Sequence, residues 1–501
     1  MKHHLAICTL LAFCLPCSAQ QKTSDIEAWI KDHQQVTLQE YLQLVSTPDI
    51  HNDLPNLHRN AELLRQMLDR RGMQPEVWDT PGAPVVYGER LVPGAKRTLL
   101  FYIHYDGQPV DATHWAQPDP FTPVLRNGTL DSGGQAVTDY ATLKTFPDDW
   151  RVYARAAADD KGPIEAFVAA MDAIHNQPAS NIKLILDGEE EGGGPGLEAV
   201  LKNHKEQLQA DLMILLDGPQ HPSRMATIYY GARGGTGLDL TVYTAKSAMH
   251  SGNYGNWMPD ANLRLAQLLS SMVDASGKVM IEGFYSDVPP FSAAAKAMLN
   301  AVPDDSKAMQ QRYGIGKLDG AATSLQEGLN LPSLSVHTMQ GGELGGVIAG
   351  HASAQIAMRL VPENNPGQMI ARVVAHVRKQ GYFIVDKDPD VATLASHPMV
   401  AKVTFRNRFE PSGGAWRTEP TLPQARFVKE ALRTAWGDRV VEIRTLGGSV
   451  PAGPFIEAYH FPVVGVSLVN YDDNQHTDNE NLRLGNLWDG IKSLAAIMSQ
   501  P

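Results

Sequence analysis

Asn181-Ile-Lys-Leu-Ile-Leu-Asp187-Gly-Glu-Glu-Glu-Gly-Gly-Gly194 is an apolar run of strand length that stops abruptly at four acids and then at three glycines. A run with almost no alternation is what a strand buried on both faces looks like, as in a parallel sheet covered by helices. Two similar runs flank it in the chain, Thr98-Leu-Leu-Phe-Tyr-Ile-His104 and Asp211-Leu-Met-Ile-Leu-Leu216. Between and after them, Gly162–Ala173 and Leu197–Leu208 carry helical spacing, as do Ser24–Val45 and Leu57–Arg71 nearer the N-terminus. Buried strands alternating with helices predict an α/β domain with a mostly parallel sheet.

From about Gly234 the pattern changes. Thr236–Tyr243 alternates, Ser353–Leu360 does so in part, and Asp260–Met272 and Pro366–Lys379 are helical. This predicts a smaller α+β unit with helices on an antiparallel sheet. Gln424–Ala435, Pro462–Val469 and Leu484–Met498 return to the first style. The predicted organisation is therefore a catalytic domain over 20–233 and 411–501, interrupted by an inserted domain over 234–410. A length of 501 residues suits this, because single cores stop growing well below that size. Residues 127–149 read as a polar surface loop. A net charge of −12 argues against a nucleic-acid partner, which needs a basic face.

Lys2, His3 and His4 precede an apolar run from Leu5 to Leu15, followed by Pro16-Cys-Ser-Ala19. Residues 1–19 thus read as a signal peptide, and the expectation is export to the periplasm or the extracellular space without a stable membrane anchor. Cys8, Cys14 and Cys17 all fall inside this segment, which would leave the remainder without thiols or disulfides.

Five segments end strands or open helices with residues able to hold metal: His104-Tyr-Asp106, Asp159-Asp160-Lys-Gly-Pro163, Asp187-Gly-Glu189-Glu190-Glu191, Asp217-Gly-Pro219 and His476-Thr-Asp-Asn-Glu480. Each has a plain alternative. His104 could be a structural histidine, the Asp159 pair a helix-capping turn, and the glutamate run a solvated acidic loop. Together they supply two histidines and several carboxylates at the carboxyl edge of a sheet, where α/β sites form. Hard oxygen ligands with imidazole suit divalent ions.

In these five segments, taken in order, the chain resembles the M20 family of metallopeptidases, in the branch of carnosinase-like dipeptidases and glutamate carboxypeptidases. His250-Ser-Gly-Asn-Tyr-Gly-Asn-Trp257, Met358-Arg-Leu-Val-Pro362 and Gly447-Gly-Ser-Val-Pro451 extend the likeness over nearly the whole chain. The resemblance implies a two-metal catalytic domain and a lid or dimerisation domain. It implies that His104 and Asp217 hold one ion and Glu191 and His476 the other, with Asp159 between both. A metal-bridging hydroxide would be the nucleophile, Glu190 the general base and Asp106 the orienting partner of His104. His250 would stabilise the oxyanion, often from a partner subunit, so a homodimer is implied. Arg359 would clamp a substrate carboxylate, with Gly448 and Ser449 adding contacts. A cis peptide at Asp159–Asp160 is also implied. Zinc is the expected metal, with manganese and cobalt as alternatives.

The expected activity is cleavage of a peptide bond next to a free C-terminal carboxylate, in a small peptide or an N-acyl amino acid. The alternative is an N-acyl amino acid amidohydrolase; a non-catalytic binding protein on the same fold is less favoured, since every ligand position is filled. Several positions depart from the family pattern. Ala154-Arg155-Ala156 replaces Gly-Arg-Gly, Leu446 replaces an acid, Gly346 replaces a threonine of some relatives, and the 127–149 segment is long.

Overall fold

The computed structural model describes residues 15–342, 345–406 and 414–501. Most of the segment read as an export signal lies outside them, as does the expected domain boundary at 410. The chain forms two compact units: the first comprises Met1–Thr227, Thr421–Val440 and Val466–Pro501, the second Ile228–Pro420 and Val441–Gly465.

In the first unit, strand Thr98–His104 runs parallel to Asn181–Asp187 on one side and to Leu212–Leu215 on the other. The register pairs His104 with Asp187 and Tyr102 with Leu215, so the three acid-bearing loops leave the sheet side by side. Phe101, Tyr102, Ile185 and Ile214 are fully buried, which explains the unbroken apolar runs. The sheet is not parallel throughout. Val85–Arg90 joins Asn181–Asp187 antiparallel and carries Glu76–Trp78 as a further antiparallel neighbour.

Helices Leu15–Val45, Lys161–Ala173, Pro423–Trp436 and Leu484–Ser499 pack on one another in this unit. Helix Leu54–Asp69 packs on strand Val85–Arg90; Asp53 caps it, and Pro55 stands in its first turn, where a missing N–H costs nothing. A small antiparallel sheet of Val124–Arg126, Arg151–Tyr153 and Asn481–Arg483 brings the segment after His476 alongside the approach to Asp159. Residues 127–149 contain two short 3-10 turns, Leu130–Ser132 and Asp139–Thr142.

The second unit centres on a five-stranded sheet in the order Ser333–Gly341, His351–Leu360, Gly234–Tyr243, Val400–Arg406, Phe383–Val385. All its pairs are antiparallel except the last. Leu238, Leu240, Ile356 and Met358 point to one face and are buried with Leu265, Leu268, Val373 and Val377 from helices Ala261–Met272 and Pro366–Lys379. Asp260 and Asn365 cap those helices. Strands Ser333–Gly341 and Val400–Arg406 had no clear alternation to announce them; the first is an edge strand exposed along most of its length, so neither face had to be apolar.

Candidate metal centre and substrate-binding residues

The first unit gathers His104, Asp159 and Asp217 into one group, and Asp159, Glu191 and His476 into a second, each with ligand atoms within 4.8 Å of one another. Asp159 belongs to both. Its Oδ1 lies 3.0 Å from His104 Nε2 and its Oδ2 3.0 Å from His476 Nε2, with Glu191 Oε1 a further 3.3 Å from that nitrogen. One carboxylate with an imidazole at each oxygen is the geometry of a bridging ligand. The Asp159–Asp160 peptide is cis.

Local structure explains how each group is aimed. His104 Nδ1 lies 3.1 Å from the Asp106 carbonyl oxygen and 3.3 Å from its Oδ1. With Nδ1–H donating to Asp106, Nε2 is left to act as a ligand. The Asp106 carboxylate has a second task. It accepts the backbone N–H groups of Glu190 at 3.2 Å and Glu191 at 3.0 Å, which pins the turn carrying both side chains.

The three consecutive glutamates are separated by this turn. Glu189 folds away: it accepts the Gly196 N–H at 2.8 Å, and a Cβ on Gly82 or Gly194 would lie within 2.4 Å of its carboxylate. Glu191 enters the second ligand group and accepts from Gln108 Nε2 at 2.7 Å. The glycines are needed because the Glu189 carboxylate occupies the space a side chain would fill, and because Gly193 sits at φ +65°.

Electrostatics at this point are severe. Burial, with repulsion from Asp217 and Glu191 against an opposing pull from His104, pushes the Glu190 carboxyl well above its usual range. Burial and the Asp159 charge raise Asp217 to about 7. For Asp159 burial acts upward too, but hydrogen bonds from His104 and His476 prevail and hold it low. Hydrogen bonds to Asp159 and Glu191 lift His476 to about 11. Carboxylates that repel one another, interleaved with imidazoles that would otherwise have to carry protons, form a donor set that a pair of divalent cations satisfies.

One contributor was missed in the sequence. Glu480 is fully buried, and its Oε1 accepts the N–H groups of Ala158 at 2.8 Å and Asp159 at 2.9 Å. Its Oε2 accepts from Ala156 N–H at 3.0 Å and Arg155 Nη1 at 2.8 Å. It therefore holds the backbone that presents Asp159. Burial, moderated by Arg155, raises its carboxyl to about 7. The only signal was its place at the end of the His476 segment. Ala156 adopts φ +56°, a left-handed conformation that explains why glycine is usual there.

The remaining sequence-derived residues lie in the second unit. Arg359 donates through Nη1 to Ser449 Oγ at 2.9 Å. Arg233, which the sequence reading passed over, stands beside it: Nε donates to the Gly447 carbonyl and Nη1 to Ser333 Oγ, each at 3.3 Å. Burial and the Arg359 charge lower Arg233 to about 10. A Cβ on Gly448 would meet nothing within 4 Å. His250 sits on the two-residue strand Met249–His250 with its ring exposed, and Nδ1 accepts the Gly252 N–H at 3.1 Å.

The family model for peptidase family M20/M25/M40 matches residues 100–500, the span that contains all of these segments. The chain belongs to that family. It is a hydrolase. Human Beta-Ala-His dipeptidase is 28% identical over 434 residues, covering 84% of this chain and 78% of the relative. The Cys-Gly metallodipeptidase of Schizosaccharomyces pombe is 26% identical over 427 residues, 83% of this chain and 82% of its own. Among solved structures, human carnosine dipeptidase 1 superposes with a TM-score of 0.72 at 25% identity, covering 95% of this chain and 98% of that one.

These relatives correct one expectation. The reading of residues 1–19 as an export signal, with a periplasmic or extracellular destination, is overturned by the match to the yeast Cys-Gly metallodipeptidases over 83% and 85% of this chain. Of the expected signal only Leu15–Ala19 lie among the described residues, at the start of helix Leu15–Val45. Among the described residues no helix is long and apolar enough to cross a membrane.

Proposed function

We propose that the chain is a two-metal dipeptidase or carboxypeptidase that cleaves a peptide bond adjacent to a free C-terminal carboxylate. The observation that carries this reading is Asp159 lying between His104 and His476, with the half-buried Glu190 on the turn that Asp106 pins. In it, His104 and Asp217 hold one ion, Glu191 and His476 the other, and Asp159 both, with zinc in each site. When bound, the ions supply a water of lowered pKa and polarise the scissile carbonyl.

The chain's own groups do the rest. Glu190, as the ionised carboxylate, takes the proton from the attacking water and then, as the carboxylic acid, delivers it to the leaving amine; surroundings that raise its carboxyl make it a stronger base for the first transfer. Asp106 keeps Glu190 and Glu191 in register and orients His104. His250 accepts at Nδ1, so its proton is on Nε2, which can donate to a developing oxyanion. Arg359, braced by Ser449 beside Gly448, is the fork for the substrate's terminal carboxylate. The domain 234–410 is proposed as the lid and as the contact of a homodimer, which light scattering on the purified protein would test.

The deciding experiment pairs metal analysis with kinetics on dipeptides and N-acetyl amino acids. About two zinc ions per chain and faster turnover of dipeptides are expected. Preference for the acylated substrates would replace the dipeptidase reading with an amidohydrolase, and a metal-free active enzyme would sink both.

A further inference from the structure

A cleft of about 560 Å³ lies in the first unit among helix Leu15–Val45, the end of helix Leu54–Asp69 and helix Lys161–Ala173. None of its lining residues belongs to the metal centre. Its floor carries Glu40, Asp172 and Glu165, with Arg70 and Arg71 beside them, and Trp29 forms part of its wall.

The charges here do not balance. Arg71 Nη2 donates to Glu40 at 2.6 Å and to Asp172 at 2.7 Å, and Nε donates to Asp172 at 3.0 Å and to the Val168 carbonyl at 3.1 Å. Nη1 donates to Glu40 at 3.3 Å and to the Met67 carbonyl at 3.0 Å. The five N–H groups of that guanidinium are thus committed. Arg70 donates through Nη2 to Glu40 as well, from a largely exposed side chain. Three carboxylates therefore face two guanidiniums, and the two that are paired are Glu40 and Asp172.

Glu165 is the one left over. Its side chain is fully buried, it lines the cleft, and neither carboxylate oxygen has a hydrogen-bond partner among the described residues. An unsatisfied buried carboxyl costs free energy, and a protein retains one where something answers it. Burial and the neighbouring Glu40 charge, outweighing Arg71, push the group well above the usual carboxylate range. The partner that reverses this is a cation bringing several N–H donors.

We propose that this cleft is a second ligand site, which binds a small organic cation with its primary ammonium group on Glu165 and its apolar body against Trp29. The aromatic wall favours an organic cation over a bare metal ion, because an indole offers a cation no lone pair but does offer apolar and π contact. Ala169 and the exposed Val36 extend the apolar lining.

Isothermal titration of the full chain with 2-phenylethylammonium chloride tests this. Saturable binding is expected, and the neutral isostere 2-phenylethanol should give none. Glu165→Gln keeps the shape and removes the charge, and should weaken binding about tenfold or more. Trp29→Ala, at a half-buried position, should weaken it about two- to thirtyfold and serves if the Glu165 variant does not fold. No saturable heat at millimolar amine, equal binding of the alcohol, or undiminished affinity in both variants overturns the proposal. So does Glu165-dependent binding of magnesium chloride in place of the amine.

Discussion

Two places in the first unit bury carboxylates, and they resolve the cost differently. At the metal centre the acids are interleaved with His104 and His476, so that Asp159 has an imidazole at each oxygen. In the Glu165 cleft the counter-charges are guanidiniums, two of the three acids consume them, and the third is stranded. Imidazole can be neutral and act as a ligand, whereas a guanidinium is always a donor. The first arrangement therefore suits metal ions and the second a donor-rich cation.

The contrast can be broken at its strongest point first. Exhaustive dialysis against a chelator should reduce turnover to background, and zinc, manganese or cobalt should restore it, ranked by activity after reconstitution. If activity survives complete metal loss, the acids at Asp159 are a structural cluster like those of the cleft. Next, Glu190→Gln should lower kcat by about 10²–10⁴-fold while elemental analysis shows metal content unchanged. Loss of metal along with activity would make Glu190 a ligand.

Smaller effects sharpen the comparison. Glu480→Ala leaves Arg155 Nη1 and three backbone N–H groups without their acceptor, Arg155 Nη2 keeping the Thr477 carbonyl, and should cost about 3–5 kcal/mol in urea denaturation. Arg359→Lys should raise KM about tenfold or more with a smaller change in kcat, because a point charge replaces a planar fork; steady-state kinetics on a dipeptide checks this. Ala156→Gly should stabilise the chain by about 0.5–1 kcal/mol by relieving a left-handed alanine, as read from the thermal midpoint. A lower midpoint would show that the added freedom of the unfolded chain prevails.

The fold was legible where burial is two-sided or strictly one-sided. Asn181–Asp187 and Thr98–His104 declare themselves by unbroken apolarity, and His351–Leu360 by alternation. Strand Ser333–Gly341 was invisible, since an exposed edge strand imposes no pattern. The antiparallel strand Val85–Arg90 was missed for a related reason: nothing local distinguishes the direction in which a strand joins its neighbour. The export reading was overturned by the relatives and not by local pattern: Lys2–Cys14 lie outside the described residues, and Leu15–Ala19 open the helix Leu15–Val45.

Within the site, the sequence alone determined the kinds of group that stand at strand ends. Histidine, aspartate and glutamate after apolar runs are local facts, readable from spacing. Tertiary structure alone decided what each does. It turned Glu189 into a cradle of glycines and Glu191 towards His476, made Asp106 the acceptor for that turn, and brought Glu480 from the far end of the chain beneath Asp159. It also stranded Glu165, because the Arg71 hydrogens that could have answered it are claimed by Glu40, Asp172 and the carbonyls of Met67 and Val168. Such outcomes depend on which partner arrives first within hydrogen-bond reach, and that is a property of packed elements rather than of the order of residues along the chain.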